Sequence, residues 1–140
     1  MGVEVHQDYL LVVHGQNAPD AADWDRYLDA LQGWRLTGRG QLVYTLGGMP
    51  DSVQRASSIS LGKDMARERK ARGGAMPPTA VMTNSTAARA LATLFNWFFD
   101  DSFRAFSLDD WAGSLAHLRT DTALQGALRD RVTRMLKLVS

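Results

Sequence analysis

The chain reads as a single α/β domain: a small, mainly parallel sheet of four or five strands, helices packed against it, and an extra helix at the C-terminus. Three observations carry that expectation. Short β-leaning apolar runs alternate with longer stretches of helical spacing, and the alternation is tightest from Pro78 to Leu118, where strand, helix, strand and helix follow with little linker. Such a series implies parallel strands joined by crossover helices. The 140 residues suit one domain, large enough to bury roughly two-thirds of its unfolded surface. With 45% hydrophobic and 22% charged residues the composition is that of an ordinary globule.

Composition also excludes several functions. The chain has no cysteine, which removes disulfides, thiolate metal ligands and a cysteine nucleophile, and fits a reducing, cytoplasmic setting. No apolar run approaches the roughly 20 residues that span a bilayer, and the N-terminus lacks the basic-then-apolar pattern of an export signal. His6 stands where myristoylation favours Ser or Thr. A net charge of +1 gives no broad electrostatic case for nucleic acid.

Taken in order, Val3 to His6 and Tyr9 to His14 form two short strands around Gln7-Asp8, the second rich in Leu and Val as a central strand should be. Asp20 caps the first helix and Asp23 lies in its first turn, where negative charge suits the dipole. Trp24, Tyr27, Leu28 and Leu31 supply its apolar stripe, and Gly33 is a plausible terminator. Gln41 to Leu46, bracketed by glycines, is the next buried strand. Asp51 with Gln54 makes a capping pair for a helix running towards Arg72.

Thr79 to Thr83 is a strand entered through Pro77-Pro78, and Asn84-Ser85 caps the helix after it. Leu91, Leu94, Phe95 and Phe98 recur at i, i+3, i+4, i+7, so one stripe of that helix is expected to face a core. Asp100-Asp101 breaks the pattern, Phe103 to Phe106 forms a strand, and Ser107 with Asp110 resembles a capping box before Trp111, Leu115 and Leu118. Thr120-Asp121 opens a last helix with the stripe Leu124, Leu128, Val132, Leu136 and Val139. It is expected to pack on the domain, or else to offer a homodimer or partner surface.

The run TAVMTNSTAARALATLFNWF through FRAFSLDDWAGSLAHL resembles the C-terminal half of the STAS superfamily, specifically its SpoIIAA-like (STAS/SEC14) group related to anti-sigma-factor antagonists. The resemblance implies the fold above and a non-enzymatic, bacterial regulatory or scaffolding module that docks another protein. In that group the junction after the second buried strand carries a phosphorylatable serine, usually followed closely by glycine. The matching position is Ser52, preceded by Met49, Pro50 and Asp51, but Val53-Gln54 follows it and not glycine. The docking surface implied is Met49 to Ser58, with Ser57 included. A plain reading stays open, since helix starts favour serine for capping alone.

The same helix carries a basic stripe, Lys63, Arg67 and Lys70, fit to meet an acidic partner or simply to be solvated. No G-x-S-x-G elbow, H-E-x-x-H pair or G-x-G-x-x-G loop is present, the three histidines lack close ligand spacing, and neither a metal nor a cofactor is expected. His14 alone sits at the carboxyl end of a strand, where open α/β sheets bind ligands. The SEC14-like branch of the resemblance implies an alternative function, carriage of a small apolar molecule or lipid in a cavity lined by Met49, Met65, Met76 and aromatics. Docking predicts a filled core and an exposed patch; carriage predicts a cavity on the order of hundreds of Å³ with few polar groups.

Overall fold

The computed structural model describes residues 1–99 and 101–139. Strand β1 (Gly2–His6) and strand β2 (Tyr9–His14) form an antiparallel hairpin. Gln7 and Asp8, both at positive φ, make the two-residue turn, whose twist matches that of the flanking strands. Helix α1 (Ala21–Trp34), β3 (Gly40–Thr45), α2 (Ser52–Ala71), β4 (Thr79–Met82), α3 (Thr86–Phe98), β5 (Phe103–Phe106), α4 (Trp111–His117) and α5 (Thr122–Val139) complete the chain. The sheet has five strands in the order β1-β2-β3-β4-β5, and β2 to β5 are parallel.

Because the parallel strands are laid down in chain order, right-handed crossovers carry α1, α2 and α3 to the same face. Strand alternation then sorts the side chains. Leu10 and Val12 pack with Trp24, Tyr27, Leu31 and Trp34 of α1 and Met65 of α2. Tyr9, Leu11, Val13, Leu42, Ala80 and Met82 point the other way, against Leu115 and Leu118 and against Leu124, Leu128, Val132 and Met135 of α5. The C-terminal helix therefore packs on its own domain and closes the second face, aided by an Arg131–Glu4 ion pair.

Most helix starts follow the sequence. Asp20 accepts from the Asp23 amide at 2.7 Å, Ser85 from Ala88 at 3.2 Å, and Asp51 and Gln54 form the reciprocal box. Three expectations need correction. The cap of α4 is Asp110, which accepts from Gly113 at 2.9 Å; Ser107 instead closes a turn with the Asp110 amide and lies outside the helix. Helix α1 runs through Gly33 to Trp34, whose ring then lies against Gly38. Helix α3 is turned from the expected stripe: Ala88, Ala92 and the adjoining Phe99 are buried and Leu91 and Phe95 half-buried, while Leu94 (46%) and Phe98 (44%) are exposed. Small alanines let that helix sit close to the sheet, which places the bulkier neighbours outside. Of the break expected at Asp100-Asp101, Asp100 lies outside the described residues and Asp101 takes a positive φ of 61°.

Candidate functional site

The two faces of the sheet are packed differently. Against α4 and α5 the interior is filled by large aliphatic side chains. Under α1–α3 the sheet offers Val12, Val43 and Val81, while the helices above contribute Ser58 and Gly62 from α2 and Ala88 and Ala92 from α3. Short side chains on facing surfaces leave room. The result is a cavity of about 90 Å³, space for about three waters.

Its wall gathers residues distant in sequence. Met49, Met65 and Met76 line it together with the rings of Trp24, Tyr27, Trp34, Phe95, Phe99 and Phe103. At the carboxyl ends of β2 and β3 it is bounded by His14, Thr45, Gly48, Met49 and Pro50. Two glycines shape it. A Cβ on Gly48 would lie 2.1 Å from the Asn17 carbonyl oxygen, so only glycine lets the two loops meet; one on Gly62 would lie 2.6 Å from Cζ of Phe99. None of the lining residues is Asp, Glu, Lys or Arg.

Most polar groups on the wall are engaged. Thr45 Oγ1 donates to the Gly48 carbonyl at 2.7 Å and accepts from the Gly47 amide at 3.1 Å. Gln41 Nε2 donates to the Tyr27 hydroxyl at 3.4 Å. His14 differs: it is 5% exposed, and its Nδ1 has no hydrogen-bond partner among the described residues. Burial, helped by the N-terminal ammonium and opposed by Asp23, lowers its pKa to about 4. The imidazole is thus neutral at physiological pH. His117, at the end of α4, is structural: its Nε2 lies 3.1 Å from the Thr79 carbonyl oxygen and 3.0 Å from that of Ser102.

The residues picked out at the junction separate into two environments. Met49 and Pro50 are half-buried on the cavity rim, and the Ser57 hydroxyl accepts from Trp24 Nε1 at 3.0 Å while donating to the Gln54 carbonyl at 2.7 Å. Asp51 and Ser52 are exposed at the start of α2, beside Val53. Lys63, Arg67 and Lys70 lie on the outer surface of that helix, Lys63 over the Phe98 ring at 5.1 Å and Arg67 paired with Asp64. Sequence reading missed the small residues of α2 and α3 that make the space, and it missed the exposed group of Leu94, Trp97 and Phe98, with Trp97 85% exposed.

No family model matches the chain, and no curated protein matches it either. Among solved structures, an uncharacterised protein of the DUF3478 family from Shewanella loihica PV-4, described as having a SpoIIAA-like fold, aligns over 84% of this chain and 90% of its own, with 16% identity and a TM-score of 0.54. The fold is SpoIIAA-like. At that identity the likeness concerns architecture, and the SpoIIAA-like fold accounts for the five-stranded sheet and its helices without assigning them a task. Among the described residues no helix is long and apolar enough to cross a membrane.

The buried His14 makes a pH prediction. Above about pH 6.5 the ring is neutral in both folded and unfolded chains and adds no pH dependence. As pH falls from 6.5 towards 4 the unfolded chain takes up the proton first, so stability falls, by on the order of 3 kcal/mol over the window, and levels off below it. Urea unfolding of the parent and of His14→Gln at about pH 7 and about pH 4.5 isolates this effect, because the carboxylates cancel in the difference. The parent should lose stability relative to the variant on acidification; a difference that does not change with pH contradicts the assignment.

Proposed function

We propose that this domain is a non-enzymatic cytoplasmic module that binds a small apolar molecule in the cavity beneath α1, α2 and α3. The observation that carries the reading is the convergence of Met49, Met65 and Met76 with six aromatic rings on unfilled space. Methionine is unbranched and polarisable, so it re-packs around an irregular guest at little cost, and aromatic rings supply large apolar contact area. The volume falls short of the hundreds of Å³ expected for carriage of a small molecule or lipid, so a guest of one ring enters as Met49, Met65 and Met76 re-pack around it.

Calorimetry with para-xylene as the probe tests this. The parent should bind it saturably, and Val81→Phe, which places a ring in the cavity, should weaken binding by about tenfold or more while keeping a cooperative unfolding transition. Absence of saturable binding to the parent, or equal binding by the variant, contradicts the reading.

A second reading rests on the exposure of Ser52 with Val53 (77% exposed) at the start of α2. A phosphate there would add roughly −1.5 to −2 charges beside free amide donors, in the position where the resemblance puts a regulatory serine, and would change how a partner protein approaches Met49 to Ser58 and the basic surface of Lys63, Arg67 and Lys70. Ser52→Asp should then change the set of co-purifying proteins relative to Ser52→Ala with little change in melting temperature; identical partners for both variants and the parent leave the serine a helix-start residue.

A further inference from the structure

We infer that the contact between Gly62 of α2 and the ring of Phe99, at the end of α3, sets the upper size of the guest, so that one six-membered ring enters and two fused rings do not. This rests on the binding reading above and adds the size class of the ligand to it. The walls of the cavity differ in how far they yield. Met49, Met65 and Met76 are unbranched and re-pack around a guest. The wall below α2 and α3 is made of rings instead. Phe99 is 4% exposed, stacks on Phe103 with centroids 5.8 Å apart, and meets Phe95 edge-on at 6.4 Å. All three rings line the cavity, and the exposed Phe98 flanks Phe99 at 6.4 Å.

Backbone contacts hold Phe99 in place. Its N–H donates to the Phe95 carbonyl at 3.1 Å, its own carbonyl accepts from the Ser102 N–H at 3.1 Å, and the Asn96 side chain accepts from the Phe103 N–H at 3.0 Å. A demand for space at this point is therefore met by the ring and not by the chain. Gly62 is what lets the ring sit so close to α2. A Cβ there would lie 2.6 Å from Cζ and 2.9 Å from Cε1 of Phe99, against the roughly 3.5–4.0 Å of an ordinary carbon contact, so the ring tip would have to move by about 1 Å. With Phe95, Phe98 and Phe103 on its flanks, the open side is the cavity. A side chain at position 62 thus drives the ring into the space of the guest, and a smaller side chain at position 99 releases space at the wall that does not yield. One ring already draws on the methionines, because about 90 Å³ is short of its volume; a second fused ring needs the place that Phe99 holds.

The test titrates para-xylene and naphthalene, followed by NMR, into the parent, Gly62→Ala, Phe99→Leu and the double variant, each checked for cooperative unfolding. The parent should bind para-xylene, and naphthalene more weakly by about tenfold or more. Gly62→Ala should weaken para-xylene binding by about tenfold, the effect of overpacking a close-packed interior. Adding Phe99→Leu to Gly62→Ala should restore that binding, a coupling expected of residues in contact. Phe99→Leu alone should raise the affinity for naphthalene relative to para-xylene by about tenfold. Equal binding of the two probes by the parent, unchanged para-xylene binding in Gly62→Ala, or an unchanged ratio of the two affinities in Phe99→Leu overturns the size assignment while the cavity reading stands. Should Gly62→Ala fail to unfold cooperatively, the probe ratio in Phe99→Leu decides alone. If the parent binds neither probe, the cavity reading itself fails and takes the assignment with it.

Discussion

Right-handed crossovers between strands laid down in chain order constrain everything else in this molecule. They send α1, α2 and α3 to one face of the sheet and leave the other bare. A sheet with one bare apolar face is not a stable end point, and Leu11, Val13, Leu42 and Met82 would stand in water. The chain after β5 therefore has a structural duty: α4 and α5 return beneath β1–β4, and α5 buries Leu124, Leu128, Val132 and Met135 there. Burial of side chains of this size is worth about 1.5–3 kcal/mol each, enough to tie the C-terminal helix to the domain without a second chain.

With α4 and α5 securing the fold, the opposite layer is free to pack less completely. Helix α2 shows the consequence most clearly. Its sequence is polar over most of its length, and only Ser58, Gly62 and Met65 are buried. A helix of that kind is held by its capping box and by polar contacts at its ends, among them Gln54 to the Pro19 carbonyl at 3.0 Å and Arg69 to the Arg35 carbonyl at 2.8 Å. It spans the sheet like a cover fixed at its edges. The space beneath is mostly apolar, with His14, Gln41, Thr45, Ser58 and Thr79 among the polar residues of its wall.

Much of this was legible in the sequence. The strand and helix order, the caps at Asp20, Asp51 and Ser85, and the α5 stripe all rest on short-range rules that tertiary context did not override. The methionine set at positions 49, 65 and 76 was also visible as residues of one chemical type, and the fold brings them to one wall. What was hidden depends on orientation. Leu94 and Phe98 obey a helical period as well as Ala88, Ala92 and Phe95 do, so periodicity cannot choose between two overlapping stripes; the approach of α3 to the sheet favours the alanines. A void is hidden for a related reason: Ser58, Gly62 and Ala88 are unremarkable singly, and only their placement opposite valines leaves space.

The central claim is that the α1–α3 side of the sheet holds accessible apolar space, whereas large aliphatic side chains pack the α4–α5 side. Diffraction from crystals pressurised with xenon tests it directly, since xenon enters apolar cavities and has no affinity for close-packed interiors. The account predicts xenon between Val12, Val81 and Met65 and none between β2 and α5. A structure with no xenon on the α1–α3 side, or with equal occupancy on both sides, would contradict it.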